Sequence, residues 1–412
     1  MTIRFNKIDI WKILFLYLIF QPSISENIGK SPLAPIITYS DEVIAVIITI
    51  AVLFKLLQNK AKLLKFEQGM LIGLIMFEFF GIFSGIHYNY QETQYMLIDA
   101  FTCIKFFIYY LGTRVLTQDK LSKDYLVSLN SICKILAVVL FVFAIHDAFF
   151  TPWFPVGDYR YFTNSVILWF WHPESLSKAS ITIIFILAYN YKKYKNNIYY
   201  IFLLTVVMIL TFRTKAIVSV VILYIFYLYF IKFNFKSLIP VGIATVAGAS
   251  YFGYDSLNFY YVEIEDSARN ILTRDSLALS KQFFPLGTGF GTYGSSMAAQ
   301  HYSKLYYTLG YNRIYKMNEY DTAYLSDTFW PIVIAQTGWL GLISFFFALS
   351  NMIVYIIKSR KSDIYYFWVA MSIIIYDLIS SFATSAFFHP SSMAPYLLLG
   401  LLTSIHESPK KQ

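Results

Sequence analysis

Cysteine is almost absent from this chain. Cys103 and Cys133 are its two, and both lie inside apolar runs. That leaves no oxidising loop for a disulfide framework and no ligand spacing for a thiolate metal site, so both are read as packing residues. Charge is scarce as well: 14% of the residues are charged and 57% are hydrophobic, the latter above the soluble norm of about half. An ordinary soluble domain is excluded in favour of a polytopic membrane protein. The net charge of +9 does not mark a nucleic-acid partner, because the basic residues sit mainly in short loops between apolar runs, where they report orientation. There is no repeat between the two halves and no matched pair of broken apolar helices of the kind inverted-repeat transporters carry. The segment PLGTGFGTYG contains GxGxxG at Gly289, Gly291 and Gly294. It lacks the strand–helix setting and acidic partner of a dinucleotide fingerprint, and the Gly-Lys-Ser/Thr ending of a P-loop.

What the chain has in quantity is apolar helix. Runs at 8–24, 40–57, 68–88, 95–116, 131–150, 174–191, 197–213, 216–232, 237–254, 329–357, 364–386 and 391–407 each approach the ~20 residues a bilayer requires, about twelve spans in all. The first follows Arg4 and Lys7 as a signal peptide would, yet no A-x-A-like cleavage site follows it, so it reads as a span. Lys55, Lys60, Lys62 and Lys65 follow the second run; Arg114, Lys120 and Lys123 the fourth; Lys192, Lys193 and Lys195 the sixth; Lys232 and Lys236 the eighth; Lys358, Arg360 and Lys361 the tenth. The loops at 88–94 and 387–390 carry no Lys or Arg. Positive charge collects on the cytoplasmic side, so both termini are expected there. The fold expected is an all-α polytopic membrane protein of about twelve transmembrane helices, with nine spans over 1–254, a long external loop over 255–328 and three spans over 329–412.

That loop is the organising stretch. It mixes Arg269, Arg274, Lys281, Arg313 and Lys316 with Asp266, Asp275, Glu319, Asp321 and Asp327, which places it in water. Connections of this length are functional or disordered, and disordered tracts are poor in aromatics. Phe283, Phe284, Phe290, Tyr293, Tyr302, Tyr306, Tyr307, Tyr311, Tyr315, Tyr320 and Tyr324 therefore predict an ordered loop. Gly287, Gly289 and Gly291 let backbone amides approach an anion as a nest, or let the chain make a tight packing turn. Inside the spans, Glu78, Lys105 and Asp377 each carry an insertion cost of about 2.5–3.5 kcal/mol. They either pair within the bundle or line a polar cavity, where the Lys105 cation suits an anionic ligand. Arg160, His172, Arg213, Lys215 and His389 stand at span ends on the loop's side of the membrane. Cations there oppose the orientation bias; snorkelling or helix capping would account for them without a ligand.

An ordered set of motifs then carries a resemblance: HPESLSKA at 172–179, FRTKA at 212–216, ARNIL at 268–272, FPLGTGFGTYGS at 284–295, YSKLY at 302–306 and DTFWPIVIAQTGWLGLI at 327–343. Over about 160–345 the chain resembles the O-antigen polymerase and O-antigen ligase superfamily, and more closely its exopolysaccharide polymerase-like branch. The resemblance implies a GT-C-like helical bundle in the bacterial cytoplasmic (inner) membrane. It also implies transfer of a glycan from undecaprenyl diphosphate to an acceptor hydroxyl on a second lipid-linked unit, with no metal or other cofactor. A chain-length regulator is an implied partner beside the lipid-linked donor and acceptor. In such proteins arginines at the outer span ends and in the loop hold the diphosphate. Carried over, that role falls to Arg213 and Arg269, with Lys215 beside the first, Arg274 as the alternative to Arg269, and Arg160 in a neighbourhood that matches poorly. Where ligases place a His at the entry to the span after the loop, this chain has Asp327, which favours polymerase over ligase.

The chemistry asks for cations on a departing diphosphate and a base for the incoming hydroxyl. Arginine binds phosphate through its planar fork and stays charged; at an effective dielectric near 20 a charge pair at ~4 Å is worth about 4 kcal/mol. Asp327 is the first choice of base and His172 or His389 the second. Loop tyrosines offer faces to sugar rings or pack the loop down. Three other readings compete: a flippase for lipid-linked sugars, which the one-sided polar loop disfavours; a ligase; and a metal-dependent transferase using Asp41 and Glu42.

Overall fold

The computed structural model describes residues 9–29, 31–118, 121, 125–160, 163–232 and 267–408. The run at 237–254, the first part of the loop to 266 and the side chain of Arg160 lie outside the described residues. The chain is mostly helical, and a helix stands at each of the other apolar runs: α1 (Asp9–Ile28), α3 (Ser40–Leu57) after the short α2 (Ala34–Thr38), α4 (Lys65–Tyr88), α5 (Thr93–Thr117), α6 (Val127–Phe149), α7 (Pro173–Tyr189), α8 (Asn197–Leu210) and α9 (Thr214–Phe226). A π-helical turn over Tyr227–Lys232 continues α9. The loop contributes α10 (Ala268–Gln282), α11 (Ser296–Gln300) and α12 (Lys304–Thr308), and the chain closes with α13 (Trp330–Ser359), α14 (Ile364–Ser380) and α15 (Met393–Glu407). Among the described residues five helices, α4, α5, α6, α9 with its π turn, and α13, are long and apolar enough to cross a membrane. Their flanks expose Ile75, Phe79, Ile135 and Ile343, as a lipid-facing surface does. One element falls outside the all-α expectation: β1 (Val156–Arg160) and β2 (Thr163–Val166) pair antiparallel as a small hairpin.

Two buried hydrophobic clusters organise the molecule. The larger fills the bundle; the smaller gathers Ile271, Leu272 and Leu279 of α10 with Tyr293, Tyr306, Tyr311, Met317, Leu325 and Ala335. The described part of the loop, 267–328, is thus packed about its own core and seated on the bundle. Its tyrosines divide. Tyr293 hydroxyl donates to the Leu272 carbonyl at 2.8 Å and stands 2.9 Å from that of Tyr311, while Tyr306 accepts the Gly294 amide at 2.7 Å. Tyr307, Tyr315, Tyr320 and Tyr324 remain exposed, with the Lys316 ammonium over the rings of Tyr315 and Tyr324.

The seat is a break in α13. At Gly338 the backbone leaves helical space (φ 66°, ψ −165°), a conformation open to glycine, and the helical bonds across it cannot form. Their groups find partners in the glycine segment: the amides of Thr288 and Gly289 donate to the carbonyls of Ala335 and Gln336, both at 2.8 Å, and the Leu340 amide donates to the Pro285 carbonyl at 3.3 Å. Unpaired backbone groups in a membrane helix are costly; here the loop supplies what the helix gives up. The opposite side of the glycine segment meets α4, where a Cβ on Gly289 would lie 2.2 Å from the Gly85 Cα.

At the far end of α4, Glu67 accepts the Leu64 amide at 2.7 Å and pairs with the buried Arg114 of α5, whose Nη1 donates to the Lys62 carbonyl at 3.0 Å. Arg114, read from sequence as a topology charge, therefore also ties α5 to the turn before α4.

Candidate functional site

Arg213, Lys215, Arg269, Asp327, His172 and His389, of the residues singled out from the sequence, meet at the end of the bundle that carries the loop, where the N-termini of α7, α9, α13 and α15 come together. Ser267 caps α10 by accepting the Asn270 amide at 3.3 Å, and the first turn of α10 then aims Arg269 at Asp327, with Nη2 3.6 Å from Oδ2. Arg274 lies five residues further on, roughly 140° around the helix. It is two-thirds exposed and turned to its neighbour Asp275 at 3.1 Å. The helical period thus separates the two alternatives, and Arg274 is corrected out of the cluster.

Arg213 stands at the N-cap of α9, and Lys215 in the first turn places Nζ 2.6 Å from Glu174 Oε1 and 3.3 Å from Thr384 Oγ1. The same Glu174 oxygen lies 3.6 Å from Nζ of Lys178, one turn along α7. Exposure falls steadily inward: the side chains of Asp327, Arg269, Lys215 and Lys178 are 39%, 19%, 10% and 2% exposed. Beneath them Asp377 of α14 is buried, with Ser392 Oγ donating to its Oδ1 at 3.4 Å. Neither Glu174 nor Lys178 was singled out as a site residue. The available signal was their charge and four-residue spacing within HPESLSKA, one helical turn into an apolar run.

The histidines are helix caps. His172 Nδ1 accepts the Glu174 amide and His389 Nδ1 accepts the Ser391 amide, each at 3.2 Å. A backbone N–H can only donate, so Nδ1 of His172 is unprotonated and its neutral ring carries the proton on Nε2; His389 Nδ1 also lies 2.7 Å from Ser391 Oγ, where either atom can be the donor. Desolvation and then the Arg213 charge hold His172 below the usual histidine range; burial and then Lys178 push His389 down to about 3. With Nδ1 committed to the cap, the neutral His172 ring keeps an N–H at Nε2 rather than a free lone pair, which counts against it as the base. Asp327 is the reverse case. Burial raises it above the usual aspartate range against the opposing pull of Arg269, making it a better proton acceptor than an ordinary carboxylate.

Other expected residues lie elsewhere. The glycine segment is not a ligand nest: Gly289 amide is spent on Gln336, Gly291 amide donates to Asp99 of α5 at 2.7 Å, and a Cβ on Gly287 would fall 2.3 Å from the Gln336 carbonyl carbon. A carboxylate from the chain itself occupies the anion position. Lys105 is fully buried between Asp41 and Glu42, a local counter-ion rather than an open cavity charge. Those two carboxylates are the ones a metal-dependent reading would use, and the ammonium lies against both. Among the described residues no group of three or more His, Cys, Asp or Glu is arranged to hold a metal ion. Arg160 ends β1, while Asp158 of the same strand lies near His172.

No protein-family model and no curated protein matches the chain; the geometry of this cluster carries the functional argument.

Proposed function

We propose that this chain is a polysaccharide repeat-unit polymerase of the O-antigen or exopolysaccharide kind, working at the outer face of a bacterial cytoplasmic membrane across about twelve spans, both termini inside. Arg213, Lys215 and Arg269 would hold the diphosphate of an undecaprenyl-linked glycan. The acceptor is a hydroxyl on a second lipid-linked repeat unit. Its oxygen attacks the anomeric carbon of the donor's first sugar, the bond from that carbon to the phosphate oxygen breaks, and the electron pair leaves with undecaprenyl diphosphate. The hydroxyl proton passes to Asp327. Arginines beside the leaving group oppose the charge that grows on it in the transition state.

The observation that carries this reading is the approach of Arg269 to Asp327 at 3.6 Å in a cluster that also contains Arg213, Lys215 and His172. Residues from opposite ends of the motif set thereby form one site, with cations for a phosphate and a half-exposed carboxylate for a hydroxyl. Exposed Tyr307, Tyr315, Tyr320 and Tyr324 offer ring faces to a passing glycan. The test is made in cells lacking the wild-type gene: Asp327→Asn should leave single repeat units on the carrier, and Arg269→Lys or Arg213→Lys should shorten or abolish the polymer. Normal long chains from all three variants would sink the reading, while long polymer stranded on the carrier would indicate a ligase.

A further inference from the structure

The cluster contains a feature that charge pairing leaves unexplained. Lys178 is 2% exposed, and its ammonium makes no hydrogen bond among the described residues; the carboxylate oxygen paired with it there is Glu174 Oε1 at 3.6 Å, an atom that also holds Lys215 at 2.6 Å. A buried lysine is expensive unless its hydrogens are satisfied. One oxygen bridging two ammonium groups is also the arrangement a phosphate oxygen adopts. Among the described residues Arg213, Lys215, Lys178 and Arg269 stand around it with Glu174, Asp327 and Asp377, so cations gather at this oxygen.

We infer that Lys178 and Lys215 form an inner anion seat for a phosphate group, and that Glu174 is a displaceable place-holder within it. The inference rests on the diphosphate reading above and adds to it Lys178 as a ligand and Glu174 as an internal competitor. On binding, a phosphate oxygen takes the place of Glu174 Oε1 between the two ammoniums, and Lys178 gains the hydrogen bond it lacks. Glu174 moves aside; as the second residue of α7, its carboxylate stays near the helix N-terminus, where negative charge is favoured.

The two halves of the seat make opposite forecasts. Inorganic pyrophosphate is titrated calorimetrically into the purified full chain in detergent, with thermal melting followed for each variant. Glu174→Gln keeps the shape and removes the competing charge, so it tightens pyrophosphate binding, whereas Lys178→Gln weakens it. Each change is about tenfold or more, the scale of one charge-assisted hydrogen bond. If Glu174 serves only to position the lysines, Glu174→Gln weakens binding in the same direction as Lys178→Gln, and the inference falls. It falls equally if Lys178→Gln binds as tightly as wild type, or if neither variant folds. Should Lys178→Gln alone fail to fold, Glu174→Gln decides. Failure of the wider reading looks different: wild type then binds no pyrophosphate, or Arg213→Lys and Arg269→Lys leave its affinity unchanged.

Discussion

Replacing Gly289 by alanine tests how the loop is held to the bundle. The new Cβ would stand 2.2 Å from the Gly85 Cα and 2.5 Å from its nitrogen, against an ordinary carbon–carbon separation of about 3.5–4.0 Å. The obstacle is backbone of a packed helix rather than a flexible side-chain end, so the glycine segment must withdraw by roughly 1.5 Å to reach that separation. Withdrawal strains the Gly289 amide bond to Gln336 and its neighbour from Thr288 to Ala335, both 2.8 Å, and exposes the break in α13. Gly289 also sits at φ +99°, which adds backbone strain of about 1–3 kcal/mol to an overpacking cost of similar size, about 1–3 kcal/mol. A displacement near 1 Å at a catalytic cluster costs on the order of 100-fold in rate. Melting in detergent and elongation rate are the assays, with Gly310→Ala as control. Gly310 shares a positive φ of +75° but has nothing within 4 Å of its Cβ position, so it bears strain without collision. Equal melting and equal rates for the two variants would refute the interlock.

Further outcomes follow from other parts of the molecule. Elongation should fall as pH drops, with a midpoint above the ordinary aspartate value of about 3.9, because burial raises Asp327 and the ionised form is the base. Arg269 pulls that carboxylate down, so Arg269→Gln should move the midpoint higher while lowering the rate; an unchanged or lower midpoint would contradict this. His172→Asn keeps an oxygen to accept the Glu174 amide and should retain most activity, whereas His172→Ala loses the cap at a cost of about 1 kcal/mol. If Asn were as inactive as Ala, the ring itself would be chemical. Glu67→Ala removes the buried carboxylate paired with Arg114 and should destabilise the fold by about 3–5 kcal/mol; thermal melting checks it, and an unchanged melting point would argue against a tight pair.

Much of the scaffold was legible because lipid leaves few options: long apolar runs must be helices, and helices stand where the runs are described. Charges that break the lipid rule were legible too, and Arg213, Lys215, Arg269 and Asp327 come together. What stayed hidden was pairing at long range. The Gly291 amide meets Asp99 across 192 positions, and nothing local to either residue announces it, so the sequence left open whether these glycines made an anion nest or a packing turn, and they pack against an aspartate and a broken helix. Gly338 was equally silent, since a glycine in an apolar run looks the same whether or not the helix continues through it. His172 and His389 each precede a proline at a helix start. Their capping role was readable in that pattern, but the proton's place on Nε2 of His172 needed the amide contact.

The most direct test uses purified protein in detergent, where no second compartment exists and transport leaves no product. Lipid-linked single repeat units are supplied without nucleotide sugars, and products are resolved by length. A ladder of longer lipid-linked chains from wild type, absent with Asp327→Asn although that variant still binds pyrophosphate, is the expected result. Unextended units from a folded wild-type protein, or an equal ladder from Asp327→Asn, would contradict the account.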